Sequence, residues 1–74
     1  MNIFKKIIDN KNKLVGIRVN GVYYHVEYVE VDIIGDFRYV STYQIDDRDC
    51  YIGYDFYTED LENAEVKLYE LKEI

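Results

Sequence analysis

Apolar and polar residues alternate over residues 13–31, and Asn20-Gly21 interrupts the alternation near its middle. Both residues tolerate the positive φ that a type I′ turn requires, so the pattern predicts a β-hairpin with a two-residue turn. Such a turn fixes the register, because side chains alternate between the two faces of a strand. The pairs predicted on one face are Val19 with Val22, Ile17 with Tyr24, and Val15 with Val26. The pairs predicted on the other face are Arg18 with Tyr23, Gly16 with His25, and Leu14 with Glu27.

Two more strands are predicted after this hairpin. Strand two is expected to continue to about Ile34, where Gly35-Asp36 forms a second two-residue turn. Strand three then begins at Phe37, residues 46–49 form a charged loop, and strand four covers residues 50–57. This register collects apolar side chains on the core face: Tyr24, Val26, Tyr28, Phe37, Tyr39, Tyr43, Ile45, Cys50, Ile52, Tyr54 and Phe56. A smaller apolar group is predicted on the opposite face: Val29, Val31, Ile33 and Val40.

The two ends of the chain complete the predicted fold. Residues 2–9 have the apolar spacing of an amphipathic helix. Residues 58–74 favour a second helix with Thr58 as its N-cap, and the alternative is a helical turn over 58–64 followed by a fifth strand over 65–71. We therefore predict one α+β domain over residues 1–74: a short N-terminal helix, a four-stranded antiparallel meander in the order 1-2-3-4, and a C-terminal helix. The alternative is a small five-stranded partial β-barrel.

Charge is the most informative bulk property. The chain has 15 acidic and 9 basic residues, and their distribution is uneven. Residues 19–74 contain 14 acidic and four basic residues, a balance of −10, whereas five of the nine basic residues lie within residues 1–18. An acidic body repels nucleic acid and anionic membranes and attracts basic protein surfaces. No apolar run is long enough to span a membrane, no signal-peptide pattern opens the chain, and we expect a cytoplasmic protein.

Catalytic and metal-binding patterns are weak. His25 is the only histidine and is predicted on the face opposite Cys50, the only cysteine, so the two do not form a nucleophile–base pair. Glu30 and Asp32 resemble a carboxylate pair of the general acid–base type, but 74 residues leave little room for a substrate cleft. The acidic loop over residues 46–49 lacks the ligand order of an EF-hand. We predict a non-enzymatic protein with no cofactor and no metal site.

The acidic surface with its interspersed tyrosines is the predicted binding site. Carboxylates on a sheet are spaced by about 3.3 Å along a strand and about 4.8 Å between strands, which approximates the phosphate spacing of a nucleic-acid strand. Tyrosines supply rigid contact area of the kind that dominates protein interfaces. The predicted partner-binding residues are Glu27, Glu30, Asp32, Asp36, Asp46, Asp47, Asp49, Asp55, Tyr51 and Tyr57.

The tyrosine-rich acidic strands GVYYHVEYVEV and CYIGYDFYTED carry a resemblance to known proteins. The chain resembles the small acidic proteins that phages and other mobile elements encode to inhibit host nucleic-acid enzymes, such as anti-CRISPR proteins and uracil-DNA glycosylase inhibitors. The resemblance implies an inhibitor that acts in the host cytoplasm and binds a basic surface of a nucleic-acid-binding enzyme by mimicking DNA, without binding nucleic acid itself. The alternative is a small structural or accessory protein that forms a homodimer, or docks on a partner, through Val29, Val31, Ile33 and Val40.

Overall fold

A computed structural model describes residues 2–71, which form an α+β fold. The elements in chain order are α1 (Ile3–Asp9), β1 (Leu14–Val19), β2 (Val22–Val31), β3 (Phe37–Ile45), β4 (Tyr51–Tyr57), α2 (Thr58–Leu61) and β5 (Val66–Glu70). The five strands form one open antiparallel sheet in the order β4-β3-β2-β1-β5. The predicted meander of four strands is therefore present, with a fifth strand added beside β1.

The prediction of a C-terminal helix is wrong for residues 66–70. These residues form β5, which pairs with β1 from Val19–Val66 to Leu14–Glu70, and α2 is a single turn over Thr58–Leu61. A helix this short is marginally stable by itself, whereas the free edge of β1 pairs with the segment along its length, so tertiary pairing overrides its helix propensity. The sheet remains open, unlike the alternative partial barrel, because β4 and β5 are its opposite edges.

The β1–β2 hairpin confirms the first predicted turn. Asn20 and Gly21 have φ values of 49° and 86°, as a type I′ turn requires, and the predicted pairs from Val19–Val22 to Gly16–His25 are all present. Val15 was predicted on the core face, but it is 43% exposed. The register with β5 shifts between Leu14 and Gly16, and Leu14 takes the buried position instead.

The β2–β3 connection is a five-residue loop rather than a two-residue turn. The carboxylate of Asp32 accepts hydrogen bonds from the backbone N–H groups of Ile34 (3.0 Å) and Asp36 (2.9 Å). Gly35 takes a φ of 90°, and the Asp32 N–H donates to the Asp36 carbonyl. An Asp side chain that bonds to the backbone two residues on stabilises a turn of its own. Strand β2 therefore ends at Val31, not at Ile34.

The β3–β4 loop has the same hydrogen bonds as the β2–β3 loop. The carboxylate of Asp46 accepts from the N–H groups of Arg48 (2.8 Å) and Cys50 (2.9 Å), and Asp49 takes the positive φ of 60°. This loop is one residue longer than predicted, so Cys50 belongs to it and Ile45 pairs with Tyr51.

Two register irregularities in the β2–β3 pair, after Val26 and after Glu30, change which side chains face the helices. Val40 is fully buried and Val29 packs against the core, so the predicted outer group of Val29, Val31, Ile33 and Val40 is not a docking face. Tyr28, Tyr39 and Tyr43, predicted in the core, instead contact aromatic rings of the opposite face. The placement of these four residues on one outer face is therefore wrong, whereas self-association of the chain stays a prediction.

The core lies between one face of the sheet and the two helices. Its buried members come from both layers: Ile7, Leu14, Ile17, Val19, Val40 and Leu61. Phe4 of α1 also packs against this core, and its ring lies 5.0 Å from that of Phe37. Because α1 and α2 both contribute to this one core, neither of the described helices covers the opposite face of the sheet.

Candidate interaction surface

The helix-free face of the sheet is lined with aromatic rings, and we call it the tyrosine face. One group of rings, the aromatic ladder, crosses the sheet from β5 to β4 with neighbouring centroids 5.0–5.4 Å apart. Its members in spatial order are Tyr69, Tyr23, His25, Tyr43 and Tyr51. Ring pairs at this spacing in tilted, stacked and edge-to-face geometry attract one another, so each ring holds its neighbour in place.

A glycine in β1 makes the ladder continuous. The ring of Tyr23 lies against Gly16, and a Cβ atom at that position would overlap the Tyr23 hydroxyl oxygen and ring. Gly16 therefore allows Tyr23 of β2 to lie across β1 and reach Tyr69 of β5, with centroids 5.4 Å apart. Glycine is the residue that permits such a close approach.

Two cations of the chain lie on the β5 end of the ladder. The Arg18 Nε donates a hydrogen bond to the Tyr69 hydroxyl (3.2 Å), and its guanidinium carbon lies 5.9 Å from the Tyr23 ring and 6.0 Å from the Tyr69 ring. The Lys67 Nζ lies 5.5 Å from the Tyr69 ring. The hydrogen bond from Arg18 lowers the pKa of Tyr69, and the charges of Arg18 and Lys67 act in the same direction. Cations already occupy this end of the tyrosine face.

A second group of rings, the tyrosine trio, consists of Tyr28, Tyr39 and Tyr57. Tyr39 is central, with ring centroids 6.1 Å from Tyr28 and 5.2 Å from Tyr57, and its hydroxyl oxygen is 3.2 Å from that of Tyr28. The hydrogen bond with Tyr28 raises the pKa of Tyr39 to about 12, with smaller contributions from desolvation and from the negative charges of Glu30 and Asp55. Glu30 and Asp55 are therefore close enough to the trio to oppose a negative charge on Tyr39.

The structure divides the predicted partner-binding residues into separate places. Glu30, Asp55, Tyr51 and Tyr57 lie on the tyrosine face, through pairing or ring contacts with Tyr39, Ser41 and Tyr43. Glu27 is exposed where the β2 register shifts. The remaining acidic residues lie in the loops at opposite ends of β3: Asp32 and Asp36 in one, Asp46, Asp47 and Asp49 in the other. The carboxylates therefore do not form the continuous lattice that was predicted.

Two of these loop carboxylates have a structural role. Asp32 and Asp46 each accept two backbone N–H bonds, so their oxygens stabilise the loops. Asp36, Asp47 and Asp49 are exposed and make no side-chain hydrogen bond among the described residues.

The residues considered for catalysis are not brought together. His25 is stacked on Tyr43 with centroids 5.0 Å apart and meets Tyr23 edge-on, whereas Cys50 is exposed in the β3–β4 loop. Asp32 lies in the β2–β3 loop and Glu30 on the sheet, so they do not form a cleft pair. Within residues 2–71, no group of three metal-ligating side chains occurs, and no described helix is long and apolar enough to cross a membrane.

The predicted partner-binding residues left out five rings of the tyrosine face, of which Tyr23 had been predicted on this face: Tyr23, Tyr28, Tyr39, Tyr43 and Tyr69. The predicted two-residue turn was the source of the error for Tyr39 and Tyr43, whereas the irregular pairing after Val26 changes the face of Tyr28. The signal that could have corrected it is the aspartate that begins each loop, followed by Gly35 or Asp49 three residues later. Asp at the first position and a residue tolerant of positive φ at the fourth favour the longer loop.

No protein-family model matches the chain, and comparisons with curated proteins and with solved structures find none similar to it. The function proposed below therefore rests on the surface of the molecule.

Proposed function

We propose that this chain is a non-enzymatic interaction protein that binds a basic surface of another protein through its tyrosine face. The observation that carries the proposal is one sheet face with eight aromatic side chains, which neither described helix covers. Tyrosine is enriched at protein interfaces because it offers large contact area at a small cost in side-chain entropy, with a hydroxyl for hydrogen bonding. Tyr51, Tyr28 and Tyr57 are 69%, 47% and 43% exposed. Exposed aromatic patches of this kind mark interaction sites.

The charge of the chain favours a basic partner. The chain has 14 acidic residues beyond position 18, and among the described ones Glu30 and Asp55 lie on the tyrosine face while acidic loops lie at both ends of β3. Opposite charge raises the association rate and selects among partners, and both effects weaken as salt screens the charges. Tyrosine rings also attract arginine and lysine side chains directly, through cation–π contacts.

The same rings suggest a second ligand class, but its electrostatics are unfavourable. Aromatic side chains on a sheet are the stacking platform of single-strand nucleic-acid binders, which combine it with a positively charged groove. Here Arg18 is engaged with Tyr69 and Gly21, and Glu30 and Asp55 would face the phosphates. A protein that itself binds nucleic acid is the better match, because its surface presents the cations that carboxylates and tyrosines attract.

We therefore propose that the partner is a nucleic-acid-binding enzyme, such as a CRISPR nuclease, and that the bound chain occludes its basic site. Inhibition would then follow from occupancy of the site that DNA or RNA uses, and no chemistry on the inhibitor is required. The acidic charge and the tyrosine-rich strands support this class of partner, in keeping with the resemblance to small acidic inhibitors of mobile elements.

Affinity capture from a host-cell lysate tests the proposal. The exposed Cys50 offers a single attachment point in the β3–β4 loop, away from the trio. The expected result is capture of a basic nucleic-acid-binding protein at low salt, with release by high salt or by added DNA. Capture that resists both treatments, or enrichment of acidic proteins, would contradict the proposal. Blank resin blocked with cysteine is the control.

A further inference from the structure

The strand register arranges six side chains of the tyrosine face in a regular grid, which we call the trio grid. Its two rows run across β2, β3 and β4: Glu30, Tyr39 and Tyr57 in one, Tyr28, Ser41 and Asp55 in the other. The carboxylates thus occupy one diagonal of the grid, and Tyr28 and Tyr57 occupy the other. Tyr39 lies between the carboxylates, beside the small Ser41. Neighbouring strands are about 4.8 Å apart, so a planar group placed over Tyr39 has acidic neighbours on two sides.

The β5 end of the tyrosine face already binds one guanidinium group, that of Arg18. Arg18 lies over two tyrosine rings and donates to the hydroxyl of one of them, Tyr69. The trio grid has the same partners for a guanidinium, rings and phenol oxygens, and adds two carboxylates. No arginine within residues 2–71 makes a ring contact with the trio, including Arg38, which precedes Tyr39 in the chain. The grid is thus a guanidinium-binding arrangement that no described arginine of this chain occupies.

We infer that the trio grid is the receptor for an arginine side chain of the partner, an inference that rests on the proposed function and makes it specific. Charge complementarity decides the occupant, because two carboxylates flank rings whose faces are also electronegative. Arginine fits better than lysine, since its planar guanidinium stacks on a ring while its five N–H groups donate within the guanidinium plane, parallel to that ring and toward the flanking carboxylates. Lysine offers a strongly hydrated point charge that gains less from the ring faces.

Short capped oligoarginine and oligolysine peptides of equal length are suitable probes. The binding of each peptide to the protein with isotope-labelled tyrosine is followed by NMR at low ionic strength. We expect the arginine peptide to bind about threefold or more tightly than the lysine peptide. The largest shifts should be those of the Tyr39 and Tyr57 ring signals. Equal binding of both peptides, or shifts centred on Tyr43 and Tyr51, would overturn the inference.

A matched pair of double variants separates the grid from general acidity. Glu30→Gln with Asp55→Asn removes two charges inside the grid, and Asp47→Asn with Asp49→Asn removes two charges in the β3–β4 loop. At 0.15 M salt, where the Debye length is about 8 Å, we expect the first variant to weaken binding of the arginine peptide about tenfold and the second less than about threefold, since screened charges outside a contact contribute little. Both variants alter exposed or half-exposed polar side chains, and circular dichroism checks that each variant is folded. An equal loss in the two variants would overturn the inference.

These outcomes are distinct from a failure of the proposed function. If lysate capture succeeds while the grid variant binds as well as the wild type, the arginine receptor is wrong and the proposed function remains supported. If the grid selects arginine peptides but the lysate gives no salt-sensitive capture, the proposed function is contradicted and the grid remains a guanidinium site.

Discussion

The close packing of Tyr23 on Gly16 gives the sharpest test of the tyrosine face. Gly16→Ala places a methyl group where the Tyr23 hydroxyl and ring now lie. The backbone of β1 tolerates alanine, so the ring must move. Its neighbours are His25 at 5.2 Å, Tyr69 at 5.4 Å and the Arg18 guanidinium at 5.9 Å. The substitution therefore breaks the aromatic ladder between β2 and β5.

The magnitude follows from the contacts of Tyr23. Each aromatic pair stabilises by about 0.5–1.5 kcal/mol, and Tyr23 makes two such pairs. Alanine recovers about 0.5–1 kcal/mol relative to glycine in a strand. The net loss in the free energy of unfolding therefore lies between about 0 and 2.5 kcal/mol, centred at about 1 kcal/mol. Each kcal/mol lowers the Tm by about 4–8 °C in a domain of this size.

Gly53→Ala is the matched control for this substitution. Gly53 lies in β4 and pairs with Tyr43, and a Cβ atom there would meet only the Thr42 carbonyl oxygen, at 3.8 Å. Urea unfolding followed by far-UV circular dichroism measures both variants. We expect Gly53→Ala to match or exceed wild-type stability by about 0.5 kcal/mol, because alanine favours a strand over glycine.

A double-mutant cycle identifies the cause of the loss. In a Tyr23→Leu background the obstructing ring is gone, so Gly16→Ala should become neutral or stabilising by about 0.5–1 kcal/mol. Equal stability of Gly16→Ala and Gly53→Ala in the wild-type background would refute the packing of Tyr23 on β1. A loss that persists in the Tyr23→Leu background would assign it to the backbone of β1 instead.

Three further predictions concern the β3–β4 loop and the hydroxyl groups of Tyr39 and Tyr69. Asp49→Gly should stabilise by about 0.5 kcal/mol in urea unfolding, because glycine accepts the φ of 60° without strain. Asp46→Ala should destabilise by about 1–2 kcal/mol through two lost backbone hydrogen bonds, whereas the control Asp47→Ala stays within about 0.5 kcal/mol. In tyrosinate absorbance titrations of the folded protein, Tyr39→Phe should remove an ionisation step near pH 12. Tyr69→Phe should remove a step at lower pH than that of an ordinary tyrosine, because the pKa of Tyr69 is lowered. Because the folded pKa of Tyr39 exceeds its unfolded value of about 10, its contribution to stability is full below that pH and is lost as pH approaches 12.

The β1–β2 hairpin was predictable because its determinants are local. Asn20 and Gly21 define a turn whose conformation fixes the pairing of the flanking strands, and no distant contact is needed to choose the register. The short first helix was predictable for a similar reason: Asn2 caps it through a 2.9 Å hydrogen bond to the Phe4 N–H, and its apolar side chains recur at helical spacing.

The placement of β3 and β5 depends on interactions that periodicity does not report. The carboxylate of Asp32 stabilises a five-residue loop where Gly35-Asp36 alone indicated a tight turn, and irregular pairing after Val26 then changes the face of Tyr28. For β5, the decisive hydrogen bonds join distant residues: the Asn20 N–H donates to the Glu65 carbonyl at 2.8 Å. Such long-range partners override local helix propensity.

The chemical character of the candidate site was predicted better than the positions of its residues. The acidic and tyrosine character of the surface was visible from composition, and Glu30, Asp55, Tyr51 and Tyr57 do lie on the tyrosine face. The contribution of Tyr39 was not visible, because a one-residue slip in register moves a side chain to the other face of the sheet.

Two tyrosines of β4 offer the most direct test of binding through the tyrosine face. Tyr57 and Tyr54 are almost equally exposed, at 43% and 44%, but Tyr57 contacts Tyr39 on the helix-free face whereas Tyr54 contacts Tyr24 on the helix side. The measurement is the amount of partner captured from one lysate at low salt by the wild type, Tyr57→Thr and Tyr54→Thr, quantified by mass spectrometry. We expect Tyr57→Thr to lose most of the captured partner and Tyr54→Thr to retain it. Retained capture by Tyr57→Thr together with loss by Tyr54→Thr would place the interface on the opposite side of the molecule and contradict the account.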